Sequence, residues 1–253
     1  MTSYAYFQKK FVPLSEAKIG IMTNSLHYGT AVFEGIRDNW NSQQKQLYIF
    51  RLEEHYRRMH NSCQVLKIGL PYSAEELSRI TIEMLQKSGF REDVYIRPLA
   101  YKSAEALGVR LHDVADDFLV FAIPWGRYID VDKAKVGVSS WHRPANTVIP
   151  PQAKVSGVYV NNALAKSEAI ENGYDETIML DSASCVSEGS GENIFLVING
   201  KLVTPAIYND ILIGITRDTV IKLAQDELGI ETIERSIARC ELYTADECFF
   251  TGT

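Results

Sequence analysis

The sequence lacks most of the features that settle a function at sight. Its four cysteines, Cys63, Cys185, Cys240 and Cys248, are scattered over 253 residues with no CxxC pair. That argues against a disulfide-stapled scaffold, and all four read as free thiols, with a zinc site the alternative. Neither GxGxxG nor a GxxxxGKS or GxxxxGKT loop occurs, so dinucleotide and P-loop readings have no support, and GxSxG and HExxH are missing too. The five histidines, His27, His55, His60, His112 and His142, have no metal-ligand spacing. We read them as structural or surface residues and expect no metal. Basic charge is not in excess: 26 Lys and Arg against 32 Asp and Glu leave a net charge of −6, which disfavours nucleic acid as the main partner. The longest apolar run, 118–125, has eight residues and contains Pro124, far short of the roughly 20 that span a bilayer. The N-terminal MTSYAYFQKKFVP has no apolar signal core. We therefore expect a cytoplasmic protein with no membrane segment.

What is present is the composition of an ordinary globular chain, 46% hydrophobic and 23% charged, long enough for two modest domains or one large one. Periodicity predicts strands over 31–37 and 47–51 and helices over 52–66 and 74–88, the second closed by Gly89. Two runs rich in β-formers follow, 94–100 and 118–124, and an α+β or α/β domain fits. PWGRYIDVDK has turn signals without a period and is the best linker. The expected division is an N-terminal domain over 1–124, a linker over 125–133 and a second domain over 134–253. In the latter, 136–140 reads as a strand and HRPANTVIPPQAK as a loop, after which Asn161 or Asn162 caps a helix ending at Gly173. Asn199-Gly200 marks a hairpin within 193–203, 216–228 is a helix closed by Gly229, and 247–251 is a strand.

Three clusters could carry chemistry. Lys154, after Pro150-Pro151, has the apolar neighbours Ala153 and Val155. These favour an uncharged amine, the form that condenses with a carbonyl. A lone lysine is ordinarily a solvated surface charge; Lys166, mid-helix, exemplifies that case. In CVSEGSGENIF, small residues around Glu188 let backbone approach a ligand, or form a plain polar turn. In LIGITRD, Gly214, Ile215 and Thr216 open a helix whose N–H groups suit a phosphate, or Thr216 is simply its N-cap. An amine, a carboxylate and a phosphate-binding helix start together are what pyridoxal phosphate demands.

These clusters lie inside a longer series of motifs: LHYGTAVFEGIR at 26–37, FRLEEHYRRM at 50–59, VYIRPLA at 94–100, FAIPWGRY at 121–128, SSWHRPANTVIPPQAK at 139–154, SEGSGENIF at 187–195, GITRD at 214–218 and LYTADECFFTGT at 242–253. From about Lys18 to the last residue the sequence resembles the fold type IV pyridoxal-phosphate enzymes, and among them the branched-chain amino acid aminotransferases. The resemblance implies an α+β, two-domain fold type IV architecture with the larger, C-terminal domain holding the cofactor. It implies that Lys154 bonds the cofactor and moves the substrate proton, that Glu188 faces the pyridine nitrogen, and that Tyr159 meets the 3′-oxygen. The phosphate would lie among Arg58, Ile215, Thr216 and Thr253, with Arg57 a solvated helix charge. Tyr28, Phe33, Tyr95, Trp125 and Tyr128 would line an apolar substrate pocket, with Gly35 a close-approach glycine; Trp125 reads equally as a core aromatic. Arg97 would pair with the distal carboxylate of glutamate or 2-oxoglutarate, and Gly252 and Thr253 with the α-carboxylate. The implied partners are small amino acids and 2-oxo acids, in a homodimer or larger homo-oligomer.

Two departures accompany the resemblance. Val158 is apolar where family members more often carry a polar residue, and family chains usually continue beyond FFTGT, so part of the cofactor domain is expected to lie outside this sequence. The ranked readings are a branched-chain transaminase, then another fold type IV activity (D-amino acid or (R)-amine transaminase, or aminodeoxychorismate lyase), then a non-catalytic fragment.

Overall fold

Alternating burial along short β-rich segments builds the first part of the chain. In the computed structural model, which describes residues 3–126 and 133–253, the chain divides into two units, Met1–Arg127 with Ala153–Gly157, and Tyr128–Gln152 with Val158–Thr253. The first unit is built on an antiparallel sheet of β1 (Tyr4–Phe7), β2 (Lys10–Pro13), β3 (Ala31–Phe33), β4 (Ile36–Asn41), β5 (Gln46–Ile49), β6 (Val94–Lys102) and β7 (Asp116–Pro124). Its order is β2-β1-β7-β6-β4-β5, with β3 also on β6. Two helices, α2 (Leu52–Val65) and α3 (Ala74–Ser88), follow α1 (Asn24–Tyr28). Tyr56, Met59, Leu77 and Met84 from the helices and Ile96, Phe118 and Val120 from the sheet are fully buried and form the core.

The strand expected over 31–37 is broken. β3 pairs with Leu99–Tyr101 of β6 and β4 with Val94–Ile96, so Glu34 and Gly35 interrupt the ladder opposite Arg97 and Pro98. Glu34 N donates to Pro98 O at 3.0 Å, but proline has no N–H to return. Gly35 is required beside the break, since a Cβ there would stand 2.3 Å from the Tyr95 hydroxyl.

The second unit holds two small sheets. β8 (Val136–Val138) lies parallel to β9 (Glu176–Leu180), which pairs antiparallel with β10 (Val186–Gly189). β11 (Asn193–Ile198) and β12 (Lys201–Thr204) form the hairpin expected at Asn199-Gly200, both at positive φ (51° and 73°). β13 (Thr232–Glu234) and β14 (Glu247–Thr251) complete that sheet. β11 is covered on both faces: Ile194 and Leu196 pack with Ile178, Leu180, Val186, Val203 and Ile237, while Phe195 packs with Leu202 and Ala224 and stacks on Phe249 at 5.3 Å. This accounts for its near-continuous apolar sequence.

Two helices complete the unit. α4 (Tyr159–Glu171) continues directly from the short 3-10 turn Ser156–Val158, so Asn161 and Asn162 are not caps as expected but lie within the helix. α5 (Ile215–Asp226) is capped by Gly214 rather than Thr216. No helix among the described residues is long and apolar enough to cross a membrane, and all four cysteines are free.

Candidate active site

In the first unit, the loop Ala153–Gly157 is laid along β3 by backbone bonds. Phe33 N donates to Lys154 O at 3.1 Å, Val32 bridges Val155, and Gly157 N donates to Gly29 O at 3.2 Å. The last approach needs two glycines, because a Cβ on Gly29 would stand 2.8 Å from Gly157 Cα. Lys154 N donates to Ser62 Oγ at 3.0 Å, and buried Ala153 and Val155 anchor the loop on either side. The lysine is thus fixed at its backbone, and its Nζ stands 5.0 Å from the centre of the Phe33 ring.

Arg97 approaches the same ring, its Cζ 4.4 Å from the centroid, and its Nη2 donates to the Tyr95 hydroxyl at 2.8 Å. Tyr95 in turn lies 5.9 Å from Trp125 between ring centroids, and Arg37 Nη1 donates to the Trp125 carbonyl at 2.7 Å. Trp125 is 42% exposed, which removes the core-aromatic reading. Phe33, Gly35, Tyr95, Arg97, Trp125 and Lys154 therefore come together. Tyr28 is turned elsewhere, its hydroxyl accepting from Gly108 N at 3.0 Å, and Tyr128 lies outside the described residues.

The face of α2 that carries His55, Arg58 and Ser62, spaced three and four apart, is one helical stripe. Arg58 donates to the fully buried carboxylate of Glu34 from Nε at 2.8 Å and Nη2 at 2.6 Å. Arg57, one residue away, points to solvent and pairs with Glu53, as expected. Neither Glu34, His55 nor Ser62 stood out in the sequence; the signal that could have found them is an acid at the strand break and the 55/58/62 stripe.

In the second unit, Glu188 lies on β10 and is 6% exposed, so its segment is a buried strand and not the polar turn that was the plain alternative. Its Oε1 meets Arg143 Nη2 at 3.0 Å, and its Oε2 accepts from Asn193 Nδ2 at 2.9 Å and Leu212 N at 3.0 Å. Arg143 also donates to Asn162 Oδ1 at 2.7 Å, and Asn162 Nδ2 donates to Ser190 O at 2.6 Å. Asn162 looks like a cap in the sequence, but it serves this buried network. Nearby, burial and then the charge of Glu176 push Glu192 up to about 7. Gly214 closes the arrangement, since a Cβ there would stand 2.0 Å from Asn193 Oδ1.

Tyr159 opens α4 and is half-buried, while Val158 is buried. Ile215 and Thr216 open α5, whose first turn has no side-chain cap, and Thr216 Oγ1 reaches Gly252 O at 3.5 Å. Thr253 is exposed beside it in sequence. Lys166 is not the solvated lysine expected: its Nζ pairs with the buried Glu176 at 2.6 Å and donates to Asp175 O at 2.6 Å.

These constellations have counterparts in known proteins. The family model of class IV amino-transferases matches residues 31–253. The sequence is 53% identical over 251 residues to a probable branched-chain-amino-acid aminotransferase of Aquifex aeolicus (strain VF5), covering 99% of this chain and 81% of that one. The crystal structure of the branched-chain aminotransferase of Thermoproteus uzoniensis with norvaline superposes with a TM-score of 0.96 at 44% identity, over 100% of this chain and 84% of that one. That of the branched-chain amino acid aminotransferase of Thermobaculum terrenum in its PLP-form gives a TM-score of 0.93 at 39% identity, over 100% of this chain and 82% of that one. The chain belongs to the class IV aminotransferases, in the branched-chain amino acid group.

Proposed function

We infer that this protein transfers the amino group of L-leucine, L-isoleucine or L-valine reversibly to 2-oxoglutarate, with pyridoxal 5′-phosphate as cofactor, in a ping-pong cycle. The observation that carries the reading is the grouping of Lys154 and Arg97 on the Phe33 ring, beside Tyr95 and Trp125. An amine, a cation and aromatic walls suit a substrate that is apolar in one half-reaction and acidic in the other.

The residues fit the cofactor. In the first unit, Lys154 supplies the amine that bonds it and Arg58 a permanently charged fork for its phosphate. In the second, the start of α5 at Ile215 and Thr216, with Thr253, suits a phosphate. Glu188, held as an acceptor by Arg143, Asn193 and Leu212, suits a protonated ring nitrogen, and Tyr159 the 3′-oxygen. When bound, pyridoxal phosphate supplies an electron sink for charge developing at the substrate Cα. Once the substrate amine has displaced it from the cofactor, Lys154 Nζ would take the proton from the substrate Cα and deliver it to the cofactor carbon that keeps the amino group. Arg97, whose buried Nε has no hydrogen-bond partner among the described residues, pairs with the distal carboxylate of 2-oxoglutarate or glutamate. Phe33, Tyr95 and Trp125 line the wall for an aliphatic side chain, Gly35 admits the Tyr95 hydroxyl, and Gly252 and Thr253 receive the α-carboxylate.

The same reading carries a homo-oligomer, a cytoplasmic location and the domain limits 1–124 and 134–253 joined by 125–133. With 2-oxoglutarate as acceptor, L-leucine, L-isoleucine and L-valine should all turn over; turnover of D-alanine without L-leucine would sink the assignment. Borohydride should fix the cofactor to Lys154 in a peptide map, and fixation at Lys166 would overturn the lysine.

A further inference from the structure

Glu34 is fully buried, yet it is ionised, because groups on one helix face hold it. Burial by itself pushes its carboxyl up, but the charge and hydrogen bonds of Arg58, aided by His55, bring it down to about 2. His55 Nδ1 lies 2.8 Å from Glu34 Oε2. An ionised carboxylate only accepts, so the proton sits on His55 Nδ1, which donates. Burial keeps His55 below its usual pKa against the pull of Glu34, so the ring is neutral and Arg58 and Glu34 balance each other.

The same face ties this group to the lysine. Ser62 donates from Oγ to Arg58 O at 3.1 Å and accepts from Lys154 N at 3.0 Å. Lys154 O accepts from Phe33 N at 3.1 Å, and Phe33 precedes Glu34. The bonds close a ring, Glu34–Arg58–Ser62–Lys154–Phe33, in which no member moves alone.

Arginine is a long, flexible side chain, and fixing its fork before a ligand arrives removes an ordering cost from binding. The Nε/Nη2 edge of Arg58 is the one that Glu34 takes, so an anion must meet its opposite edge. We propose that Glu34 and His55 are positioning residues: His55 orients Glu34, and Glu34 aims the outer edge of Arg58 at the cofactor phosphate. The inference rests on the reading of Arg58 as a phosphate ligand.

The test is to strip the full chain of cofactor and titrate it with pyridoxal 5′-phosphate and with pyridoxal, which lacks the phosphate, following absorbance of the bound cofactor. Glu34→Gln should weaken pyridoxal 5′-phosphate about tenfold or more, the worth of a charged hydrogen bond, and leave pyridoxal within about twofold. His55→Asn, whose amide can replace Nδ1–H, should bind both ligands like the parent, and His55→Leu should follow Glu34→Gln. Equal losses for both ligands would mean a merely structural role and overturn the proposal. So would an unchanged preference in Glu34→Gln and His55→Leu while Arg58→Gln loses it. If Arg58→Gln keeps the preference, the phosphate reading of Arg58 fails first and the proposal with it. Should Glu34→Gln not fold, the His55 pair decides.

Discussion

Asp38 and Glu34 are both acids with no solvent exposure, and they titrate in opposite directions. Glu34 has Arg58 and His55 against it and is brought down to about 2. No side chain among the described residues hydrogen-bonds Asp38, so burial, with the charge of Asp93 added, outweighs the one backbone hydrogen bond from Tyr48 and pushes it from 3.8 up to about 7. Between those two pH values the unfolded chain gives up a proton that the folded chain keeps, so this group's contribution to stability is lost as pH rises through about 7. Asp38→Asn should therefore stabilise the protein by on the order of 2–4 kcal/mol above pH 7 and by less at pH 5. Urea unfolding at pH 5 and pH 8 checks this, and an equal change at both would refute it. Lys154, Arg58 and Glu188 are legible in the sequence because motif and residue type mark them. Glu34, His55, Ser62 and Arg143 are not, because each acts through a side chain or backbone group far from it along the chain.

Elements are legible where local rules decide them. The helix expected over 74–88 forms with those limits as α3, because Ser73 and Glu76 make a reciprocal capping box and Gly89 takes the left-handed C-cap at φ 66°. Ser73→Ala should cost about 1 kcal/mol in chemical denaturation, leaving binding of pyridoxal 5′-phosphate unchanged. The 199–200 turn forms as expected for the same reason, both residues lying at positive φ, while the strand expected over 247–251 forms by pairing with β11. The misreadings fall where a tertiary partner overrides the local signal. Asn162 resembles a cap but bonds Arg143 and Ser190, and Gly214 caps α5 because Asn193 leaves no room for a side chain. The 31–37 strand breaks because Pro98 cannot donate to it.

For the molecule as a whole, the division into two units cuts across the chain order, with Ala153–Gly157 joining the first. A cofactor bound only by the folded state adds stability by mass action: about 2.7 kcal/mol at a hundredfold excess over its dissociation constant. Removing it should lower the thermal midpoint by about 5–10 °C in a chain of this size. A midpoint indifferent to pyridoxal 5′-phosphate would count against the cofactor assignment. By itself the sequence determined the family, the cofactor and the limits of elements set by caps, glycines and period, since these depend on neighbours a few residues away. Only the tertiary structure decided which charges are held and how: Arg58 on Glu34, 24 residues away, Arg143 on Glu188, Lys166 on Glu176, and Asp38 with no side-chain partner among the described residues. The energy of a charge depends on its desolvation and its nearest counter-charge, and packing alone sets both.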